Sequence, residues 1–238
     1  WDDADPAWSP SGDKLAFVSD RSPTRFDEVN RDVWVLPVGT RRRPKRLTRG
    51  PGTAASPRWS PDGVNIAYIG HQNKDGDSAR NTHLLVVATD DPKPPRSLSG
   101  PLDRTVWGLD RAPGAAHAWT EDGRAVMFLA ADRGAISLYR SALGDLGALD
   151  HGPGPERVLG GDRQVITMHT ASSTIAFASM WPSSPPEIYC AEADGTGERR
   201  VSNANSELRG LRLATLRRSS HSAPDGRRIE SFVMYPAG

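Results

Sequence analysis

Cysteine is nearly absent from this sequence of 238 residues, which holds only Cys190. A single cysteine excludes an intrachain disulfide framework and a zinc site built from several thiolates. The sequence also lacks an apolar run near the roughly 18 residues that a membrane-spanning helix needs, and it does not open on a basic segment followed by an apolar one. We therefore expect no membrane partner, and the cysteine content fits a cytoplasmic location.

Net charge is also small, because 30 Lys and Arg residues face 29 Asp and Glu residues. This balance produces no long-range field that would recruit nucleic acid, so no nucleic-acid partner is expected. The one basic cluster runs from Arg41 to Arg46 and contains no aromatic platform for stacking bases. We interpret it as a solvated hairpin tip, with contact to an anion or a partner protein as the alternative.

The patterns that carry hydrolytic or metal chemistry are missing as well. No serine stands in a Gly-x-Ser-x-Gly nucleophile elbow; the nearest candidate, Gly76-Asp77-Ser78, has Arg80 where the second glycine should be. The six histidines show no metal-binding spacing, and Gly152–Gly154 and Gly195–Gly197 lack the Lys-Ser/Thr ending of a phosphate loop. We predict no catalytic, cofactor-binding or metal-binding residue and no cofactor, and we interpret Cys190 as a small buried apolar residue.

What the sequence does contain is a repeat built on a short turn. The motif Trp-Ser-Pro-Asp-Gly, or a close variant, occurs at Trp8–Gly12, Trp59–Gly63 and Trp119–Gly123, and a degenerate turn stands at Ala171–Ser173. An apolar run follows each turn: Leu15–Val18, Ile66–Ile69, Val126–Leu129 and Ile175–Ala178. Proline favours the second position of a tight turn and glycine a positive φ, so each motif predicts a hairpin. Four aspartates are interpreted as turn residues: Asp20, Asp62, Asp122 and Asp225.

Each copy of the repeat continues through a second apolar run and a short closing strand. The second runs are Val33–Leu36, Leu84–Val87, Ile136–Tyr139 and Ile188–Cys190, and the closing strands begin at Arg46, Arg96, Arg157 and Arg200. With the residues before each turn, this makes four strands per repeat. The runs after the turns are apolar on both faces, which requires burial on both faces.

Stacked blades meet this requirement, so we predict an all-β fold, a β-propeller with four visible four-stranded blades. The aromatic residue at the third place of each first run is expected to fill the gap between blades. Two polar insertions, Asp20–Arg31 and Gln72–Asn81, fall between the second and third strands of two blades and should share one face. They are interpreted as surface excursions, with contact to a substrate peptide or a catalytic domain as the alternative.

The turn and the Ile-Ala-Tyr-like strand after it resemble the blades of TolB-type propellers and of the N-terminal propellers of the prolyl oligopeptidase (S9) family. The C-terminal segment distinguishes the two groups. Its turn Ser222–Gly226 and the strand that ends in Pro236–Gly238 resemble the entry to the hydrolase domain of S9 peptidases of the acylaminoacyl-peptidase type. We accordingly predict propeller blades over residues 1–205, and over residues 206–238 a linker with the first hairpin of an α/β-hydrolase domain.

The resemblance implies a parent serine peptidase that hydrolyses short peptides, including N-acylated ones, through a Ser-Asp-His triad on the hydrolase domain. A propeller of seven or eight blades would gate access to that site, and this chain alone would be inactive. The implied partners are the hydrolase domain of the same parent and short peptide substrates, and a homo-oligomer is compatible with the family. Two alternatives stay open: a TolB-like protein-interaction propeller without enzymatic activity, and a closed propeller of four blades.

Overall fold

The computed structural model describes residues 2–23, 30–73, 81–90, 93–107, 116–144, 154–208 and 210–237. These segments form 18 β-strands and two single-turn 3-10 helices, at Gly100–Leu102 and Ser206–Leu208. They contain no α-helix, and within them no helix is long and apolar enough to cross a membrane. The all-β prediction is confirmed.

Sixteen strands make four blades, each an antiparallel series in chain order. The first blade contains β1 (Asp2–Trp8), β2 (Lys14–Asp20), β3 (Asp32–Pro37) and β4 (Lys45–Arg46). The second contains β5 (Thr53–Trp59), β6 (Asn65–His71), β7 (His83–Ala88) and β8 (Arg96–Ser97). The third contains β9 (His117–Trp119), β10 (Ala125–Asp132), β11 (Ala135–Ala142) and β12 (Glu156–Leu159). The fourth contains β13 (Gln164–Ala171), β14 (Thr174–Trp181), β15 (Ser184–Glu192) and β16 (Arg199–Arg200).

The last two strands, β17 (Thr215–Ser222) and β18 (Arg228–Tyr235), pair only with each other among the described strands. We call them, with their connecting turn, the C-terminal hairpin. The third and fourth blades are joined where Ile136 pairs in parallel with Gln164, and the Ile136 N–H donates to the carbonyl of Arg163 at 3.1 Å. The short connection 160–163 brings β13 against the start of β11, so these two blades share one sheet.

The predicted turns have one geometry, seen clearly in the second blade. Gly63 has a φ of +71° and its N–H donates to the Ser60 carbonyl at 2.9 Å. The Asp62 carboxylate accepts from the Ser60 hydroxyl at 2.5 Å and from the Val64 N–H at 3.0 Å. These hydrogen bonds, the one from Ser60 foremost, lower the pKa of Asp62. Because these bonds favour the charged form of the carboxylate, Asp62 stabilises the turn more when it is ionised than when it is protonated.

The core consists of three apolar clusters, each lying between two adjacent blades. Strand β6 contributes to two of them, because successive side chains of a strand point to opposite faces. Ile66 and Tyr68 pack toward the first blade, whereas Ala67 and Ile69 pack toward the third. Every residue of β6 is buried. Burial on both faces, inferred from the apolar runs, is therefore confirmed for the central blades.

The prediction that aromatic residues fill the gaps between blades holds at three of four positions. Tyr68, Phe128 and Phe177 belong to the clusters between blades. Phe17 instead lies on the face of the first blade that points away from the second, where the Arg21 guanidinium covers its ring at 5.4 Å. The reason is strand alternation: Phe17 and its equivalents all point to the blade before their own.

The fourth blade is less buried than the sequence pattern predicts. Along β14, Ile175 and Phe177 are buried toward the third blade, whereas Ala176 is only half-buried on the opposite face. Cys190 pairs with Ala176 across the sheet and shares that face. Cys190 is therefore half-buried, not buried as predicted from its apolar neighbours.

Candidate functional site

The loops between second and third strands lie together at one end of the blades, which we call the loop face. The opposite end carries the tryptophan turns, and we call it the turn face. In the third and fourth blades these loops are the two-residue turns Arg133–Gly134 and Pro182–Ser183. In the first two blades they are the polar insertions, as predicted, although their central residues, 24–29 and 74–80, lie outside the described residues.

Asp20 connects the two ends of the first insertion. Its Oδ1 accepts hydrogen bonds from the N–H and hydroxyl of Ser22 at 3.0 and 2.7 Å. Its Oδ2 accepts from the N–H of Asn30 at 3.0 Å. Asp20 is therefore a buried residue at the end of β2 and not a turn-tip residue like Asp62. Its carboxylate holds the base of the insertion closed.

The C-terminal hairpin packs onto the loop face through an aromatic ring. Phe232 of β18 lies directly over Gly134 in the β10–β11 turn. A methyl group on Gly134 would stand 2.3 Å from Cζ of Phe232, and the φ of Gly134 is +75°. Both the close approach and the left-handed backbone require glycine here. This contact fixes where the hairpin sits on the third blade.

Ionic and polar contacts surround that ring. The Arg218 guanidinium of β17 reaches the carboxylates of Asp162 at 3.1 Å and Glu230 at 2.8 Å. The side-chain amide of Gln164 donates to the carbonyl of Gly134 at 2.7 Å. Asp162 of the connection 160–163 thus binds the hairpin, and Gln164, the first residue of β13, binds the turn beneath it.

Arg163, in the same connection, is buried, and its two terminal nitrogens are hydrogen-bonded, whereas its Nε has no hydrogen-bond partner among the described residues. Its guanidinium donates two hydrogen bonds to the Glu198 carboxylate, at 2.5 and 2.8 Å. It also lies 5.4 Å from the ring centroids of Phe177 and Trp181. A planar guanidinium suits both contacts at once, since it offers a bidentate edge and two flat faces. Sequence reasoning missed this residue because no repeated motif marks it.

A cavity of about 850 Å³ lies between the hairpin and the loop face. Its lining includes Arg133, Arg163, Trp181, Leu211, Leu213 and Phe232. This volume is in the range of sites for small molecules or short peptides. The described residues of the lining include no histidine.

The basic cluster is solvated in part. Arg41, Arg42 and Arg43 are exposed, as interpreted from the sequence. Lys45, however, donates to the carbonyls of Thr89 and Asp90 in the second blade, at 3.0 and 3.1 Å. Its role there is to join two blades.

The Arg46 guanidinium pairs at 2.5 Å with the Asp32 carboxylate of the neighbouring strand. Burial raises the pKa of Asp32, although Thr48 and Arg46 both bind its charged form. This end of the basic cluster therefore contributes to the sheet.

The histidines are dispersed over the blades. His71 and His83 lie at the base of the second insertion, His117 is buried between blades, and His169 and His221 are exposed. His151 lies outside the described residues, as do two of the three residues of the turn Gly152–Gly154. No group of three or more His, Cys, Asp or Glu side chains in the described part of the chain is arranged to hold a metal ion.

Stacked four-stranded sheets with apolar clusters between them define the class of fold as a β-propeller. No protein-family model matches the chain. A curated relative, the probable dipeptidyl-peptidase 5 of Arthroderma benhamiae, is 27% identical over 183 residues, which is 74% of this chain and 23% of the relative. The chain therefore spans about a quarter of the length of the curated relative.

Solved structures of two kinds share the fold. A puromycin-hydrolysing peptidase of Mycobacterium tuberculosis aligns with a TM-score of 0.67 at 21% identity, over 98% of this chain and 34% of its own. The acylaminoacyl peptidase of Pyrococcus horikoshii aligns with a TM-score of 0.65 at 14% identity, over 96% and 32%. TolB from Acinetobacter baumannii aligns with a TM-score of 0.55 at 16% identity, over 98% and 52%.

These comparisons confirm the resemblance drawn from the turns and the C-terminal segment. The chain resembles the propeller portion of S9 peptidases, and its curated relative is a peptidase. TolB from Acinetobacter baumannii shares the fold as well. The division at residues 205 and 206, and the absence of catalytic residues, stay predictions.

Proposed function

We propose that this chain is the non-catalytic propeller portion of an S9-type serine peptidase that hydrolyses short peptides, including N-acylated ones. In this proposal, residues 1–205 form blades of a larger propeller, and residues 206–238 lead into an α/β-hydrolase domain of the same parent. That domain carries the nucleophile, because the sequence of this chain contains no Gly-x-Ser-x-Gly elbow. The parent is a cytoplasmic protein with no nucleic-acid or membrane partner, and it is compatible with a homo-oligomer.

The observation that carries the proposal is the docking of the C-terminal hairpin on the loop face. The Phe232–Gly134 contact and the Arg218–Asp162 ion pair hold the hairpin there. A domain that begins with this hairpin would lie over the same face as the two insertions. The insertions and the cavity of about 850 Å³ would then border the route by which a peptide enters. This arrangement supports a gating role, since peptide size would decide entry.

Catalytic capacity is tested with a fluorophosphonate probe, which labels activated serine nucleophiles. We expect the parent protein to be labelled and to cleave acyl-peptide or prolyl chromogenic substrates, whereas this chain alone is neither labelled nor active. The matched control is the parent with the elbow serine changed to alanine, which should behave like the chain alone. Labelled turnover by this chain would refute its non-catalytic role.

Gating is tested by a length series of peptides on the active parent. Rates should fall steeply once the peptide is too long to enter, and a denatured protein chain should not be cut. In Gly134→Ala, the added methyl group displaces Phe232, so the cleavage rates of long peptides should rise more than those of short ones. Gly39 has a similar φ of +73° but open space around it, which makes Gly39→Ala the matched control. Equal effects on long and short peptides would exclude gating at this contact.

The alternative function is a TolB-like protein-interaction propeller without enzymatic activity. The observation that favours it is the fold match to TolB over 98% of this chain. The coding sequence after Gly238 distinguishes the two. A Gly-x-Ser-x-Gly motif within about two hundred codons supports the peptidase, given the size of a hydrolase domain, and a nearby stop codon supports the interaction propeller.

A further inference from the structure

The turn face repeats one contact between neighbouring blades. The Trp59 indole N–H donates to the carbonyl of Ala7 in the first blade at 3.0 Å. The Trp119 indole donates to the carbonyl of Arg58 in the second blade, also at 3.0 Å. In each case the indole fills the wedge between two blades near their turns.

A second contact accompanies the indole. Proline of one turn lies against glycine of the next: Cδ of Pro61 is 3.5 Å from the position that a Cβ on Gly123 would take. The equivalent distance from Pro10 to Gly63 is 3.8 Å. Indole and proline together close the turn face between the first three blades.

Both contacts are absent between the described residues of the third and fourth blades. In the third blade Trp119 pairs with Val126, and in the fourth blade Thr170 pairs with the equivalent residue, Ile175. Thr170 therefore occupies the position that tryptophan has in the other blades. The turn after it contains only Ser172 and Ser173, without proline or glycine. Thr170 reaches the carbonyl of Trp119 with its hydroxyl at 3.4 Å, but its side chain cannot fill the space of an indole.

A cleft of about 880 Å³ opens at this position. Trp119, Met127 and Ile175 contribute apolar surface to its floor, next to Thr170. The cleft therefore results from two departures from the repeat at one interface, the replacement of tryptophan by threonine and the loss of proline and glycine from the turn. The side of a blade forms its floor. A concave site of this volume with apolar side chains in its lining is typical of a binding site.

The rim of the cleft is acidic. Four exposed carboxylates and one guanidinium line it: Glu121, Asp122, Glu156, Asp194 and Arg140. Asp122 is fixed by hydrogen bonds from the Thr120 hydroxyl and the Arg124 N–H, at 2.6 and 3.0 Å. Arg140 pairs with Glu156 at 3.6 Å, which leaves an excess of negative charge around an apolar floor.

We propose that this cleft binds an extended peptide segment in which an aromatic or aliphatic side chain is flanked by Lys or Arg. The apolar side chain would take the place of the missing indole, beside Trp119 and Ile175. The flanking cations would pair with the rim, where charge complementarity selects them. This inference is independent of the proposed peptidase, because the cleft is on the turn face, opposite to the loop face.

The test is isothermal titration of this chain with acetyl-Lys-Phe-Lys-Phe-Lys-amide. We expect saturable binding that weakens as salt is raised, since the rim charges are exposed. The matched peptide with Glu in place of each Lys should bind at least about tenfold more weakly, as like charges meet at the rim. Lack of saturation by the Lys peptide, or equal binding of both peptides, would overturn the proposal.

Variants locate the site. Thr170→Trp restores the indole of the repeat and should abolish binding, whereas Thr170→Val keeps the size of the side chain and should leave the affinity unchanged. The double variant Glu121→Lys and Glu156→Lys should weaken binding at least about tenfold, and Glu207→Lys, an exposed charge change outside the cleft, should not. If Thr170→Trp does not fold, the charge variants decide; unchanged binding in them would exclude this cleft.

Discussion

The indole N–H of Trp119 donates a hydrogen bond of 3.0 Å to the carbonyl oxygen of Arg58, on the neighbouring blade. Trp119 is buried, whereas Trp8, at the same position of the first blade, is 60% exposed. The same residue type at the same repeat position therefore has two different environments. This pair allows the contribution of the contact between blades to be measured against an internal reference.

Trp119→Phe should destabilise the chain by about 1–3 kcal/mol, because the hydrogen bond to the Arg58 carbonyl is lost and the smaller ring fills less of the space between the blades. Urea unfolding followed by circular dichroism measures the change. Trp8→Phe is the matched control and should shift stability by no more than about 0.5 kcal/mol, as for other exposed sites. Equal destabilisation by the two changes would show that the indole contact contributes nothing specific.

His117 should make stability depend on pH. Burial, with the nearby charge of Arg58, lowers the pKa of His117 from 6.5 to about 4. Because the folded-state pKa lies below the unfolded one, the stabilisation is complete above pH 6.5 and is lost as pH falls toward 4. Between pH 7.5 and 4.5 this loss is about 2.5 kcal/mol.

Urea unfolding at the two pH values tests the contribution of His117. His117→Leu should remove that part of the pH dependence, whatever its effect on stability at neutral pH. His169→Gln, at an exposed histidine, should retain it. The interpretation fails if wild type and His117→Leu lose the same free energy of unfolding on acidification.

Glu187 should hold the segment 202–205, which follows β16, to the fourth blade. Its carboxylate accepts hydrogen bonds from the Ser202 hydroxyl and from the N–H groups of Ala204 and Asn205, the latter two at 3.1 and 3.0 Å. These bonds, that of Ser202 foremost, lower the pKa of Glu187 to about 2. The folded-state pKa is depressed, so the stabilisation is present above pH 4.5 and is lost as pH falls toward 2.

Glu187→Gln should therefore speed amide hydrogen exchange at Ala204 and Asn205 at neutral pH, since a neutral amide offers one weaker acceptor in place of a charged pair. Mass spectrometry or NMR measures the hydrogen-exchange rates of these two N–H groups. Glu192→Gln, at the exposed end of the same strand, is the control and should leave both rates unchanged. Unaltered exchange in Glu187→Gln would contradict the role of this carboxylate.

Gly134→Ala should loosen the C-terminal hairpin. A left-handed backbone costs alanine about 1–2 kcal/mol, and the clash with Phe232 at 2.3 Å adds to it. We expect the free energy of unfolding to fall more than in Gly39→Ala, and amide hydrogen exchange in β17 and β18 to become faster. The double variant Gly134→Ala with Phe232→Ala should recover the steric part of the loss. Equal losses in Gly134→Ala and Gly39→Ala would show that the ring does not pack there.

Much of the blade architecture could be predicted because its signals are local. Pro61 to Gly63 define a turn by their own backbone preferences, and the run Ile66–Ile69 needs two apolar environments whatever lies around it. All four blades and the position of both insertions follow from such segments. The short turn Ser222–Gly226 likewise predicted the hairpin that β17 and β18 form.

The candidate sites were not predictable in this way. Arg163 and Glu198 are far apart in the chain, and neither belongs to a repeated motif. From their neighbours in sequence, Phe17 was predicted to fill a gap between blades and Cys190 to be a small buried residue. Whether another blade covers the face on which each side chain lies depends on the tertiary structure, and a local pattern contains no record of that.

By itself, the sequence determined that the chain folds into four-stranded blades. The turn residues and the strands that are apolar on both faces are local signals, each contained within a few consecutive residues. Only the tertiary structure decided where the hairpin docks and where the repeat leaves a cleft. The physical reason is packing: Phe232 meets Gly134, and Thr170 fails to fill the space beside Trp119, only after distant segments are brought together. One candidate site of this protein therefore lies between the hairpin and the loop face, and the other lies between the third and fourth blades, and neither is contained in a single motif.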